Sequence, residues 1–223
     1  MIRALVSPDS FGSILVLLMV TYALAVTANT GWGHSLVLVV QVTTVGLVLR
    51  VSQARRSVRL LAGVAVMLAG VVAVASLFGT DSDGLEALVF GTSAFLYLIA
   101  PVAVLRALVL SGDVDRETVF GALDAYILIG LFFAFAYRMV GAIQSSPFFG
   151  SAGDGKLPQD LFFSFTTLTT TGYGNLVPAG NPGQTMAVLE MLVGQLFLVT
   201  AVAKVINAWH PKRWRALDEG TPE

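Results

Sequence analysis

The sequence predicts an all-α membrane protein of six transmembrane helices, with a short re-entrant helix and an irregular loop between the fifth and the sixth. Three observations predict it. Of 223 residues, 56% are hydrophobic and only 12% are charged, with a mean hydropathy of +0.80, which places the chain in a bilayer. Six apolar segments approach the roughly 20 residues that cross about 30 Å of hydrocarbon. Between the last two lies Asp160 to Pro178, too rich in hydroxyls and glycine to be another span.

Phe11 to Thr27 is the first span. Arg3 before it and Ala25-Val26-Thr27-Ala28 after it also fit a signal peptide, but the segment is counted as retained. Asn29 to His34 reads as a glycine turn. Ser35 to Arg50 is the second span, and Arg50, Arg55, Arg56 and Arg59 crowd the link that follows, which the positive-inside rule places in the cytoplasm. Leu60 to Phe78 is the third span, and the acidic Thr80 to Gly84 turn faces outward. Leu85 to Leu110 is the fourth, bent at Pro101, and Gly112 to Glu117 turns back inside. Val119 to Ile143 is the fifth, Gln144 to Leu157 an outer turret, Pro158 to Thr170 a short helix, and Pro182 to Ala208 the sixth.

Orientation follows from the bases. Arg3, Arg50, Arg55, Arg56, Arg59, Arg106, Arg116, Lys204, Lys212, Arg213 and Arg215 fall on one side, eleven of the thirteen, so both termini are expected in the cytoplasm of a multi-pass cell-membrane protein. The tail after Ala208 is too short for a ligand-binding domain, and Trp209 and Trp214 with its bases read as an interfacial anchor. The net charge of −1 offers no nucleic-acid stripe, and the absence of cysteine excludes disulfide and thiolate chemistry. His34 and His210 lie far apart beside membrane borders, which disfavours a metal pair. Ser, His and acid residues do not converge at one membrane depth, so no enzyme is expected.

Asp160-Leu-Phe-Phe-Ser-Phe-Thr-Thr-Leu-Thr-Thr-Thr-Gly-Tyr-Gly-Asn-Leu-Val-Pro178 carries the functional reading. Pro158 suits a first helical turn, Asp160 suits the positive end of the helix dipole, and Gly172-Tyr173-Gly174 ends any helix. The loop beyond then lies at membrane depth, where irregular backbone survives only if it is buried in protein or lines water. Its carbonyls must therefore face something polar, and a cation is the natural guest. Two glycines let successive carbonyls point one way, and the Thr170 hydroxyl adds oxygens at the inner end.

Thr170-Thr171-Gly172-Tyr173-Gly174 resembles the selectivity filter of potassium channels, and Phe163 to Thr169 resembles that family's pore helix. The resemblance covers roughly Val119 to Ala208. It implies K⁺ ions held by Thr170, Thr171, Gly172 and Tyr173, with Gly174 closing the outer mouth and the Tyr173 ring bracing the back, and no organic cofactor. Thr171 departs from the usual Val or Ile, and its hydroxyl needs a partner. Asn175 at the filter mouth departs from a common Asp. One filter strand cannot surround an ion, so a homotetramer among membrane lipids is implied. The expected organisation is a four-helix scaffold or sensor-like region over 1–117, a pore domain over 118–208 and a cytoplasmic tail over 209–223.

Other residues have two readings each. Gly194 is spaced like the hinge glycine of inner helices, or serves close packing. Met191, Gln195, Leu198, Val202 and Ile206 form a stripe that can line the cavity. The fourth span has only Arg106 near its inner end, too little charge for a conventional voltage sensor, so the first four spans read as a scaffold, or else as a sensor of lipid, tension or an unidentified ligand. Arg138 and Glu190 both lie about 9–12 Å inside the outer border, which favours a brace in which they pair with each other or with the back of the pore helix; the alternative is that Arg138 snorkels to the headgroups while Glu190 stays neutral. The functional expectation is passive K⁺ conduction, not conventionally voltage-gated. A weakly selective cation channel and a non-conducting scaffold or sensor with a vestigial pore are the alternatives, and a four-repeat transporter is disfavoured because the motif occurs once.

Overall fold

A computed structural model of the chain describes residues 10–27, 31–53, 56–76, 83–110 and 116–208, and among them every regular element is helical. The helices are α1 (Phe11–Thr27), α2 (Gly31–Val51), α3 (Arg56–Ser76), α4 (Asp83–Leu110), α5 (Arg116–Ile143), α6 (Leu157–Leu168) and α7 (Asn181–Ala208), with one 3₁₀ turn at Gly150–Ala152. Three helices are long and apolar enough to cross a membrane, over Ala87–Leu108, Arg116–Ile143 and Asn181–Lys204; Phe11–Val26 and Val40–Val51 are shorter apolar helices. Arg3, the tail over 209–223 and the side chain of Ile206 lie outside the described residues.

Local chemistry sets the helix ends. Ser10 caps α1, its Oγ accepting the Ser13 N–H at 3.4 Å, while the Phe11 N–H donates to Glu117 Oε2 at 2.9 Å. One acid from α5 thus serves the positive end of a helix more than a hundred residues away. α2 ends where Gln53 turns left-handed at φ 47°, its N–H on the Arg50 carbonyl at 3.1 Å. α4 continues through Pro101 as one helix. At its end, the Lys204 ammonium of α7 donates to the Leu108 carbonyl, a cation at the negative pole of α4.

Three boundaries correct the sequence reading. Gly31 to His34 are the first turn of α2, not a turn between spans, because the glycines there meet no demand for positive φ. The arginine-rich link is largely helical: Arg50 ends α2 and Arg56 and Arg59 begin α3. Glu117 belongs to α5, where it caps α1 instead of lying in a turn.

The core forms where α4 and α5 pack along their length with α1 and α2 laid against them. Leu18, Leu96, Tyr97, Leu128 and Leu131 are fully or almost fully buried there, and the Tyr97 and Phe135 rings meet at 5.3 Å. A second cluster joins Phe133, Tyr137, Phe148, Phe149 and Phe163, seating the turret and α6 against α5. α1 reaches α6 directly through an edge-to-face contact of Tyr22 with Phe165 at 5.5 Å.

Asp124 in α5 is 0% exposed, and neither carboxyl oxygen has a hydrogen-bond partner among the described residues. A buried polar group without a partner costs stability, so Asp124→Leu, similar in volume, is expected to stabilise the fold by about 1–3 kcal/mol. A thermal melt of the purified protein measures this; a lower midpoint in the variant would mean that the carboxyl is held by something the folded chain needs.

Candidate ion-binding site

The site begins with how α6 starts and stops. Gln159, third in the helix, accepts the Lys156 N–H through its side-chain oxygen at 2.7 Å, and Pro158 occupies the first turn, where its missing N–H removes nothing. Asp160 follows in that turn, 1% exposed. The helix ends two residues earlier than the sequence implies, at Leu168. Thr170 then turns left-handed at φ 56°; its N–H donates to Thr167 O at 2.9 Å, while the Thr171 N–H reaches back to Thr166 O at 2.8 Å. These are the two bonds of a Schellman cap, usually made around glycine. The Gly172 N–H adds a third contact, to the same Thr166 carbonyl at 3.1 Å.

Beyond the cap, positive φ recurs at every second residue: Thr170 at 56°, Gly172 at 53° and Gly174 at 76°. Glycine tolerates this conformation freely; a β-branched threonine does not. The two hydrogen bonds of the cap hold Thr170 there. The left-handed state at Thr170 was not legible in the sequence, since residue type argues against it.

Side chains then fix the loop. Thr169 Oγ1 donates to Phe165 O at 2.7 Å and lies 2.9 Å from Thr171 Oγ1, so the Thr171 hydroxyl has the partner its departure from Val or Ile requires. Gln195 of α7 donates to Thr170 Oγ1 at 3.2 Å. The Tyr173 ring stacks on Phe162 of α6 at 5.7 Å and 17°, yet Tyr173 remains 71% exposed within the single chain. Asn175 is exposed at the end of the loop.

Of the two pairings expected for the Arg138–Glu190 brace, the one with the back of the pore helix is found at Glu190. Glu190, 0% exposed, accepts from Tyr137 OH at 2.6 Å through Oε2 and from Ser164 Oγ at 2.5 Å through Oε1. Ser164 Oγ also lies 2.7 Å from the Gly130 carbonyl, so one hydroxyl proton is shared between two acceptors. Arg138 instead donates to the Gly155 carbonyl at 2.9 Å and lies over the Phe90 ring at 5.5 Å. Matched depth did not imply matched direction around the helices. Glu190 grips the back of α6, Arg138 the loop that leads into it, and the two contacts are separate. Tyr137 and Ser164 are the members missed by sequence reasoning; a hydroxyl facing a buried acid was the available signal.

Gly194 packs against the end of α6. A Cβ there would lie 2.4 Å from the Leu168 carbonyl oxygen and 2.9 Å from the Leu168 side chain. The same carbonyl accepts from Tyr126 OH at 3.3 Å. α7 continues unbroken past this point to Ala208. Of the expected stripe, Met191 is half-buried while Gln195, Leu198 and Val202 are exposed on the same side of α7.

Gly194→Ala is expected to destabilise the folded protein by about 1–3 kcal/mol, because the carbonyl it strikes belongs to backbone and cannot swing away. Glu190→Leu should cost a similar amount by stranding the Tyr137 hydroxyl, whereas Glu190→Gln, which keeps an acceptor, should lose about 1 kcal/mol. Chemical or thermal unfolding of the three variants checks the order; a Leu variant as stable as the Gln variant would contradict these bonds.

Residues 125–209 match the family described as ion channel. Over 80 residues the chain is 34% identical to the inward rectifier potassium channel Kirbac3.1 of Paramagnetospirillum magnetotacticum, covering 36% of this chain and 25% of that one. Over 83 residues it is 30% identical to the voltage-gated potassium channel regulatory subunit KCNG1 of Homo sapiens, covering 37% of this chain and 15% of that one. The chain thus spans a quarter or less of the length of these relatives. No solved structure matches it significantly. Residues 125–209, which build α6, the loop after it and most of the two helices around them, thus match the ion channel family, and it is over about this length that the chain is similar to potassium channels.

Proposed function

We propose that this protein is a K⁺-selective channel, a homotetramer of six-span subunits that conducts passively through a central pore. The single observation that carries the reading is the alternation of left-handed residues at 170, 172 and 174 directly after a capped helix. Alternating handedness turns successive carbonyls of Thr170, Thr171, Gly172 and Tyr173 toward one side, and four such strands replace the water shell of a K⁺ ion. The α6 dipole adds partial negative charge at Leu168, next to the inner end of that column.

Assembly is supported by what one chain leaves bare. Only 17% of the apolar stretch of α7 is buried, against 61% in α5. In the tetramer neighbouring subunits cover α7 and the Tyr173 ring. The bond from Gln195 to Thr170 Oγ1 sets the rotation of α7, bringing Met191, Gln195, Leu198 and Val202 to the cavity. Pore helix and filter enter and leave from the outer side, both termini are cytoplasmic, and residues 1–117 surround the pore domain of 118–208.

The test is reversal potential in planar bilayers under opposed K⁺ and Na⁺ gradients. A strongly K⁺-selective parent current is expected, lost in Gly172→Ala, because alanine resists the left-handed φ by about 1–2 kcal/mol per strand and turns a carbonyl away. Equal K⁺ and Na⁺ permeability would favour the weakly selective cation channel, and absence of flux from liposomes holding this chain alone would favour a regulatory or scaffold subunit.

Gating by voltage is expected to be weak. Arg106 is the one basic residue of α4, and one charge crossing the whole membrane couples only about 2.3 kcal/mol per 100 mV. Open probability should change little between about −100 and +100 mV. A steep conductance curve that Arg106→Gln flattens would contradict this.

A further inference from the structure

α2 and α3 are consecutive helices that do not close on one another. A cleft of about 640 Å³ opens between them, with apolar walls and a rim of Arg50, Gln53 and Arg59, and among the described residues none that lines it is acidic. Gly46 on one wall and Gly63 on the other face this open space, since a Cβ at either would meet nothing within 4 Å. α3 begins with Arg56 and Arg59 and has no acid in its first turn. Of these, Arg59 lines the cleft and sits at the positive pole of its own helix, a place that favours an anion. Toward the membrane, Leu60, Leu61, Val64 and Met67 of α3 are all more than half exposed, so the cleft opens onto acyl chains.

We propose that this cleft binds one anionic phospholipid, its phosphate held by Arg50 and Arg59 and an acyl chain lying in the groove over Gly46 and Gly63. Guanidinium groups match a phosphate through paired N–H donors, and a basic pocket between transmembrane helices favours an anionic headgroup over a zwitterionic one. The occupant is a lipid and not free phosphate because the walls behind the arginines are apolar and continuous with the lipid-facing side of α3. Which leaflet it belongs to rests on the orientation proposed above; the cleft itself does not.

The experiment is native mass spectrometry of the full chain, purified in detergent and exchanged with phosphatidylglycerol or phosphatidylcholine. The parent should retain phosphatidylglycerol preferentially. Arg50→Gln with Arg59→Gln should lower that retention roughly tenfold or more, since each base near an anionic headgroup contributes on the order of 1 kcal/mol, and leave phosphatidylcholine unchanged. Gly63→Leu, whose Cβ would meet nothing within 4 Å and whose longer side chain takes up room in the groove, should lower retention of both lipids while the arginines remain; Gly46→Leu repeats the test from the other wall. Equal retention by parent and arginine variant, or no preference between the lipids, overturns the proposal. Full displacement of phosphatidylglycerol by millimolar inorganic phosphate would make the site a soluble-anion site and overturn the lipid assignment. None of these readouts needs conduction, so a failed lipid test and a failed channel reading are distinguishable.

Discussion

The arrangement depends on one buried carboxyl. Glu190 lies in an apolar helix with no exposure, where an unsatisfied acid is among the costliest groups a membrane protein can hold. Its two oxygens are taken by Tyr137 of α5 and Ser164 of α6. Three helices are thereby held at one height. The bonds are strong for the same reason they are needed, since no water competes for them. Ser164 also reaches the Gly130 carbonyl, so α6 is tied to α5 by two routes at a single residue.

With the back of α6 held, its front end can carry strain. Thr170 in the left-handed region is unfavourable alone, but the cap bonds to Thr166 and Thr167 and the Gln195 contact over-determine it. Gly194 is part of the same design, because only the missing Cβ lets α7 approach the Leu168 carbonyl. A hinge needs freedom, whereas this glycine is wedged against backbone. Tyr126 closes the cluster by donating to that carbonyl from α5.

Besides the apolar core that α1 and α4 share with α5, specific polar and aromatic contacts join the preceding helices to this centre. Glu117 caps α1, Tyr22 of α1 meets Phe165 of α6, and Lys204 near the end of α7 caps α4. A movement of α1 or α4 thus has a physical route to the elements around the loop.

The sequence by itself determined the all-helical class, the element order and the stretch from Asp160 to Pro178, because apolar runs, caps and glycines act over a few residues. It placed Arg138 and Glu190 in the helices that precede and follow α6 as well. Only the tertiary structure decided direction around each helix. It sent Glu190 to Tyr137 and Ser164 and Arg138 to Gly155 and Phe90, turned Thr170 left-handed against its own preference, and set Gly194 against α6. A linear pattern records how far along a helix a residue lies and what it can bond; the azimuth at which it meets its partner follows from how the helices pack, and that is fixed by the sum of distant contacts.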